Sequence, residues 1–238
     1  GDHRDLHSFP TRRSSDLFDV HRVLQLLQWA GLKLKGKKCH FARSRLTFLG
    51  HTISEEGIKP DGDHVKTIFD CPPPNTVRQV RSFLGLSGYY RKFIPRYAKI
   101  AAPITRLTQK DVPFKWTEDC QAAFEELKRI LAELPLLNYP DFKKDFVVHV
   151  DASTEGLGAV LYQQDKEGNQ SIVSYASRAL RTYEKSYSVT DLEMLAIVWA
   201  LGHCRTFLLG KKFQVVTDHR ANVYMLSKRP TNAVSPRS

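Results

Sequence analysis

The chain has 238 residues, 42% of them hydrophobic and 26% charged, a globular balance that excludes wholesale disorder and a collagen-like fibre. Its apolar runs are a handful of residues long, far short of the roughly 20 that a membrane span needs. No charged-then-apolar leader opens it, so an intracellular location is expected, not secretion. The net charge of +11 is localised: residues 18–110 carry 17 basic and 6 acidic side chains, while residues 1–17 and 111–238 are each balanced.

Residues 1–17, GDHRDLHSFPTRRSSDL, show neither helical nor strand periodicity. The segment resembles the in-frame translation of a widely used DNA sequencing adapter and is set aside as artefact or disordered tail. From residue 20 to 30, Val20, Val23, Leu24, Leu27 and Ala30 recur at helical spacing, and Gly31 supplies the stop. Residues 32–58 alternate or are β-rich between Gly36, Gly50 and a polar turn at 54–57, which predicts antiparallel strands and a hairpin. A short helix is expected over 61–69, halted by Pro72, Pro73 and Pro74.

Thr76 followed by Gln79 has the spacing of a capping box, and Val77, Val80 and Leu84 form the stripe of the next helix. Gly85 and Gly88 are expected to interrupt it. Pro95 and Pro103 then divide 89–107 into short helical pieces, in which aromatic residues alternate with Arg91, Lys92, Arg96 and Lys99. Trp116 and Thr117 open a further helix to about Ala132, with Cys120, Phe124, Leu127 and Leu131 buried. The second half reads as strands at 146–150, 157–163 and 171–177, a helix over 190–203 with Leu192, Leu195, Ala196 and Trp199 inward, and a strand at 213–218. That order gives an antiparallel meander and a helical crossover to a strand parallel with the first.

A localised basic field suits a polyanion, whose counterions are released on binding; a well-solvated basic surface is the alternative. Arg78, Arg81, Tyr90, Arg91, Lys92 and Arg96 are the nucleic-acid-binding candidates, cations meeting phosphates beside aromatic faces that can stack. Tyr90, Phe93 and Tyr97 also have the spacing of a small helical core. The four cysteines (Cys39, Cys71, Cys120 and Cys204) are widely scattered, which favours free thiols over a disulfide frame or zinc site.

Three acids occupy informative places. Asp151 closes the first strand of the second half, Glu193 lies in the first turn of the helix, and Asp218 closes the last strand. Parallel neighbouring strands would bring Asp151 and Asp218 to one sheet edge, with the helix carrying Glu193 toward them. Clustered carboxylates repel unless a cation neutralises them. Hard oxygen donors select Mg²⁺ or Mn²⁺, and two such ions roughly 3.5–4 Å apart serve phosphoryl hydrolysis.

At these residues the sequence resembles the polyprotein of gypsy-type long-terminal-repeat retrotransposons and, more distantly, retroviral reverse transcriptase, from residue 18 to about 226. FLGHTISEEGIKPD (48–61) is similar to the primer-grip hairpin. VRQVRSFLGLSGYYRKFIPRYAKIAAPITRLTQK (77–110) is similar to the thumb and connection helices. VDASTEGLGAVLYQ, SYASRAL, YSVTDLEMLAIVWAL and FQVVTDH resemble the ribonuclease H domain. The resemblance implies an α+β fold: the end of a palm with the primer grip over 18–70, thumb and connection over 71–141, and a C-terminally truncated RNase H-like mixed sheet over 142–238.

It also implies that Phe48, Leu49, Gly50 and His51 bind nucleic acid, and that Asp151, Glu193 and Asp218 are three of four catalytic, metal-binding acids. Glu193 is preferred to Asp191 because it precedes the Met-Leu-Ala run. The implied enzyme is an RNA-directed DNA polymerase and RNase H endonuclease that cleaves the RNA strand of an RNA–DNA hybrid with two Mg²⁺ or Mn²⁺ ions. Its partners would be the hybrid and the rest of the polyprotein, without a membrane. The Tyr-x-Asp-Asp polymerase motif does not occur in these residues, and the sequence drifts from the family pattern after Met225. The isolated chain is therefore expected to be a weak or inactive nuclease, and a catalytically inactive nucleic-acid-binding remnant is the alternative.

Overall fold

In a computed structural model, residues 11–41 and 43–218 are described, and they fall into two compact units that divide between Arg43 and Ser44. The first unit holds helix α1, Thr11–Trp29. Gly31 ends it in a left-handed conformation (φ +70°), where the backbone N–H groups of Gly31 and Leu32 close back onto Gln28 and Leu27. The helix starts well before residue 20, so residues 11–17 are helical despite lacking an apolar period. Extending a helix costs far less than nucleating one, and residues 11–17 contain neither Pro nor Gly to stop the turns that follow from running back through them. Among the described residues of 32–44 the expected strands do not form; a 3₁₀ turn, Gly36–Lys38, occurs there instead. Leu32 and Leu34 alternate with lysines as a strand would, yet both are exposed.

The second unit opens with a three-stranded antiparallel sheet: β1 (Arg45–Phe48), β2 (His51–Ser54) and β3 (Gly57–Pro60). Phe48 pairs with His51, so Leu49 and Gly50 are the two turn residues, both at positive φ (46° and 69°). Two-residue turns of this hand match the right-handed twist of the flanking strands. Helix α2, Gly62–Phe69, follows and stops before the proline run.

Helix α3, Val77–Tyr89, is capped as its sequence predicts, with Thr76 Oγ1 accepting from the Gln79 backbone N–H at 3.3 Å. The Gln79 side chain reaches back to the Asn75 N–H at 2.8 Å. Gly85 and Gly88 do not interrupt α3. Gly85 faces open space, and Gly88 lies where a Cβ would sit 3.4 Å from the Tyr97 hydroxyl, so its bareness makes room for a packed neighbour. A 3₁₀ turn, Arg91–Phe93, leads into α4 (Tyr97–Ile100) and α5 (Ala102–Arg106), split around Pro95 and Pro103. Helix α6, Glu118–Ala132, buries Cys120, Phe124, Leu127 and Leu131.

These helices share a core built on Val80, Phe83, Phe93, Ile104 and Phe124, with the Phe83 and Phe124 rings 4.7 Å apart. Full burial of each such side chain contributes about 1.5–3 kcal/mol. A second core lies between a four-stranded sheet and α7 (Val189–His203). The sheet comprises β4 (Phe146–Ala152), β5 (Gly156–Gln164) and β6 (Gln170–Ala179), with α7 and the short α8 (Arg205–Leu208) crossing to β7 (Phe213–Val216). Its order is β6-β5-β4-β7, antiparallel except for the parallel β4–β7 pair, which is the predicted meander plus crossover.

Phe146, Val148 and Val150 point toward α7, which answers with Leu192, Ala196, Ile197 and Ala200. Leu195 and Trp199, expected to face inward, are only partly buried, because the helix is rotated to turn Ile197 and Ala200 onto the sheet. All four cysteines are free thiols. Among the described residues no helix is long and apolar enough to cross a membrane.

Candidate nucleic-acid interface and acidic sheet edge

The β1–β2 turn is the best-formed part of the predicted binding surface. Phe48 and Leu49 stand out from it, 57% and 69% exposed. Gly50 is buried beneath them, and the Tyr90 hydroxyl donates to its carbonyl at 3.0 Å. His51 Nδ1 lies 2.8 Å from the Leu49 carbonyl, which fixes the neutral ring with its proton on Nδ1. The ring packs against Tyr89, Tyr90 and Phe93 with centroids 5.2–5.6 Å away. Desolvation pushes its pKa below the usual histidine value, and Lys92 and His64 add to that, opposed by the Leu49 carbonyl. His51 therefore props the turn and brings no positive charge to it.

Several candidates have other work. Tyr90 is 2% exposed and cannot stack on a base; with Phe93 and Tyr97 it is buried in the helical core that is the other sequence expectation, and its position falls on the buried stripe with Phe83 and Ser87. Tyr89, one residue earlier and half-exposed, is the aromatic that reaches the turn, its hydroxyl donating to the Leu49 carbonyl. The helical period of α3 separates the two tyrosines and could have identified Tyr89. Arg91 donates from Nη2 to the Ser177 carbonyl on β6 and covers the Tyr97 ring. The Ala98 N–H donates to Ser177 Oγ at 2.9 Å, so this segment is fastened to β6 at two points.

Lys92 is partly buried over the Phe93 ring, and desolvation lowers its pKa. Arg81 reaches the Thr108 carbonyl at 3.4 Å, and Arg78 is exposed on α3. Arg96 Nε pairs with Asp151 Oδ2 at 3.0 Å. Of the predicted cations, Arg78, Arg81 and Lys92 remain off the large sheet, while Arg91 and Arg96 contact it.

Asp151 lies on β4 and Glu193 on α7, just past its first turn, whereas β7 ends at Val216, two residues short of the expected strand end, so Asp218 lies beyond it. The parallel β4–β7 pairing ends at His149 and Val216, two residues before Asp151 and Asp218 respectively. Asp151 is partly exposed near the end of β4, and Asp218 is exposed just past β7. Glu193 is on the sheet-facing side of α7 and is 5% exposed. Asp191 is taken up in the helix cap, where Ser188 Oγ donates to its carboxylate at 2.6 Å and accepts from its N–H at 3.2 Å. That leaves Glu193 as the acid of this turn that faces the sheet.

Three carboxylates on these elements have the donor chemistry for a hard divalent cation, and Asp151 already holds a cation in Arg96. The expected closed cluster is not formed: among the described residues no group of three His, Cys, Asp or Glu side chains is arranged to hold a metal. A groove of about 940 Å³ runs beside Asp151, lined by Arg96, Lys99, His149 and the ion-paired Glu126 and Arg129 of α6. Lys99 and His149 were not singled out in the sequence. His149 is two residues before Asp151 on the same strand face, a period-2 signal that could have found it.

Residues 116–215 match the family model described as an RNase H-like domain found in reverse transcriptase. The chain is 44% identical over 196 residues to the retrovirus-related Pol polyprotein from transposon 412 of Drosophila melanogaster, covering 82% of this chain and 16% of that one. It is 37% identical over 242 residues to the corresponding polyprotein from transposon gypsy of the same organism, covering 96% and 23%. The transposon Tf2-3 polyprotein of Schizosaccharomyces pombe is 37% identical over 203 residues, covering 84% and 15%. The chain thus spans less than a quarter of these relatives' length. Among solved structures, the foamy viral protease-reverse transcriptase in complex with RNA/DNA hybrid aligns with a TM-score of 0.71 and 25% identity, covering 88% of this chain and 28% of that one. The same protein in complex with double-stranded DNA gives 0.71 at 24% identity, a likeness of fold, covering 91% and 45%.

Proposed function

Since this chain carries an RNase H-like domain of the kind found in reverse transcriptases, homologous to retrotransposon Pol polyproteins, we propose that it is a portion of a reverse transcriptase/ribonuclease H that binds an RNA–DNA hybrid. In this reading residues 18–70 end a palm, residues 71–141 form thumb and connection, and residues 142–238 form the nuclease domain. The parent enzyme hydrolyses the RNA strand and works intracellularly, in a cytoplasmic particle or the nucleus.

The observation that supports the proposal is the parallel β4–β7 pairing, which runs to His149 and Val216, two residues short of Asp151 and Asp218, beneath the helix that bears Glu193. These three residues would hold two Mg²⁺ or Mn²⁺ ions, which supply activation of a water and charge stabilisation at the leaving 3′ oxygen. The chain's own contribution would be to carry Asp151 on β4, Glu193 on α7 and Asp218 just past β7, and to track the hybrid's backbone with Phe48, Leu49, Tyr89 and Arg78. Selection of RNA would come from 2′-hydroxyl contacts in the minor groove.

The second reading, a hybrid-binding remnant without catalysis, is favoured by the Arg96–Asp151 pair and by the open arrangement of the acids. A labelled RNA–DNA hybrid incubated with the chain and Mn²⁺ separates the two. RNA-strand cleavage that disappears in Asp151→Asn supports the nuclease. Salt-sensitive binding without cleavage, unchanged in Asp151→Asn, supports the remnant. No binding by either protein overturns both.

A further inference from the structure

We propose that Arg96 is a built-in counter-cation of Asp151, a positioning residue that competes with a divalent ion for the carboxylate. This inference rests on the reading of Asp151 as a metal ligand.

The pair is placed by the backbone. Arg96 adopts a left-handed conformation (φ 51°, ψ 31°) at the N-cap of α4, unusual for a side-chain-bearing residue and costing roughly 1 kcal/mol. Contacts on its C-terminal side hold it there: the N–H groups of Lys99 and Ile100 close onto its carbonyl, and Ala98 is tied to Ser177 Oγ. From that position Nε reaches Asp151 Oδ2 at 3.0 Å, with the two side chains 62% and 40% exposed. Lys99 lines the same crevice and adds a second positive charge.

Charge decides what this arrangement does. Asp151 has satisfied one oxygen with a monovalent cation, and a divalent ion at that oxygen must displace the guanidinium or be repelled by it. Both groups are open to solvent, so the arginine can swing away without unfolding anything. The pair is thus weak enough to yield and strong enough to bias occupancy, by about threefold to fivefold for a partly exposed ion pair.

One other ion pair among the described residues joins these helices to the sheet's β4–β5 turn, Arg106 with Glu155 at 2.9 Å, and it touches none of the three acids. It provides the control for mere loosening of the helices. The test is the affinity of the full chain for Mn²⁺ alone, without nucleic acid, measured by calorimetry and by the loss of free-ion electron paramagnetic resonance signal. Arg96→Gly, which suits the left-handed backbone, and Arg96→Asn are each expected to bind Mn²⁺ about threefold to fivefold more tightly than the parent. Arg106→Gln is expected to match the parent.

Asp151→Asn must lose the binding. If it binds as the parent does, the reading of Asp151 as a ligand fails, and this inference with it. If Asp151→Asn loses binding while both Arg96 variants bind no more tightly than the parent, the competition alone is overturned. Equal tightening in Arg106→Gln also overturns it, because the effect would then be general loosening. So does the absence of binding in the parent and both Arg96 variants.

Discussion

Tyr90 donates its hydroxyl hydrogen to the carbonyl of Gly50 at 3.0 Å, joining the end of α3 to the apex of the β1–β2 turn across forty residues of sequence. The bond is buried, and burial pushes the Tyr90 hydroxyl up to about 12, so it remains a protonated donor at every pH at which the protein is handled. It makes the turn a rigid platform from which Phe48 and Leu49 project.

Gly50→Ala places a Cβ 3.0 Å from that hydroxyl on a backbone at φ +69°, and is expected to cost about 1–2 kcal/mol. Gly57→Ala is worse, since its Cβ would come within 2.2 Å of the Leu137 carbonyl, which accepts from the Ile58 N–H at 2.8 Å. A loss of about 3 kcal/mol or more is expected there, because strand pairing and backbone strain fail together. Denaturant melts of the two variants should give that order, and the reverse order would contradict the turn geometry.

Phe48→Ser and Leu49→Ser remove exposed apolar surface from the hairpin apex. Each is expected to weaken hybrid binding about fivefold or more, the value of one stacking or apolar contact, with thermal stability within about 0.5 kcal/mol of the parent. Fluorescence anisotropy with a labelled hybrid reads the first effect and a thermal melt the second. Unchanged affinity in both variants would remove the hairpin from the binding surface.

Arg78 and Arg91 should behave oppositely although both are basic residues of one segment. Arg78→Gln is expected to lower the slope of log affinity against log salt by about 0.9, one phosphate contact, without a stability change. Arg91→Gln breaks a bond to the Ser177 carbonyl and is expected to cost about 1–2 kcal/mol of stability. A salt titration of binding paired with melting curves distinguishes them.

Glu184 gives the pH dependence. Its buried carboxylate takes two bonds from Arg178, at 2.6 and 2.9 Å, and a third from the Arg181 N–H at 2.8 Å. The Arg178 guanidinium, first among these causes, holds the carboxyl below its ordinary value of 4.5. As the pH drops, the unfolded chain takes up this proton before the folded one does. The contribution is therefore complete above pH 4.5 and is lost as the pH falls through the lower folded value. Near neutral pH, Glu184→Gln is expected to destabilise by about 2 kcal/mol. The melting temperatures of parent and variant should converge as the pH is taken well below that range; a gap constant with pH would contradict the assignment.

Local chemistry announced itself wherever it decides structure. The Thr76 cap, the Pro95 and Pro103 breaks, the stripe from Cys120 to Leu131 and the continuous apolar runs of β4 and β5 are short-range rules of spacing and backbone freedom, and they are written in neighbouring residues. Gly85 and Gly88 misled because a glycine's effect inside a helix depends on what approaches it, here the Tyr97 ring beside Gly88. Residues 32–44 misled because a strand needs a partner, and alternation alone cannot supply one.

The sequence by itself therefore determined the order of elements from β4 onward, the parallel return of β7 and the placement of Asp151 on β4 and Glu193 on α7. Only the tertiary structure decided how the side chains divide their tasks. It buried Tyr90 and exposed Tyr89, kept His51 neutral, docked Arg91 on β6 and set Arg96 against Asp151. The reason is that charge and aromaticity are properties of a residue, whereas exposure and partnership are properties of a pair, and the partners here lie dozens of positions apart. The +11 net charge placed a basic segment in the chain. Which of its cations remain open to a polyanion depended on which ones the large sheet had already engaged.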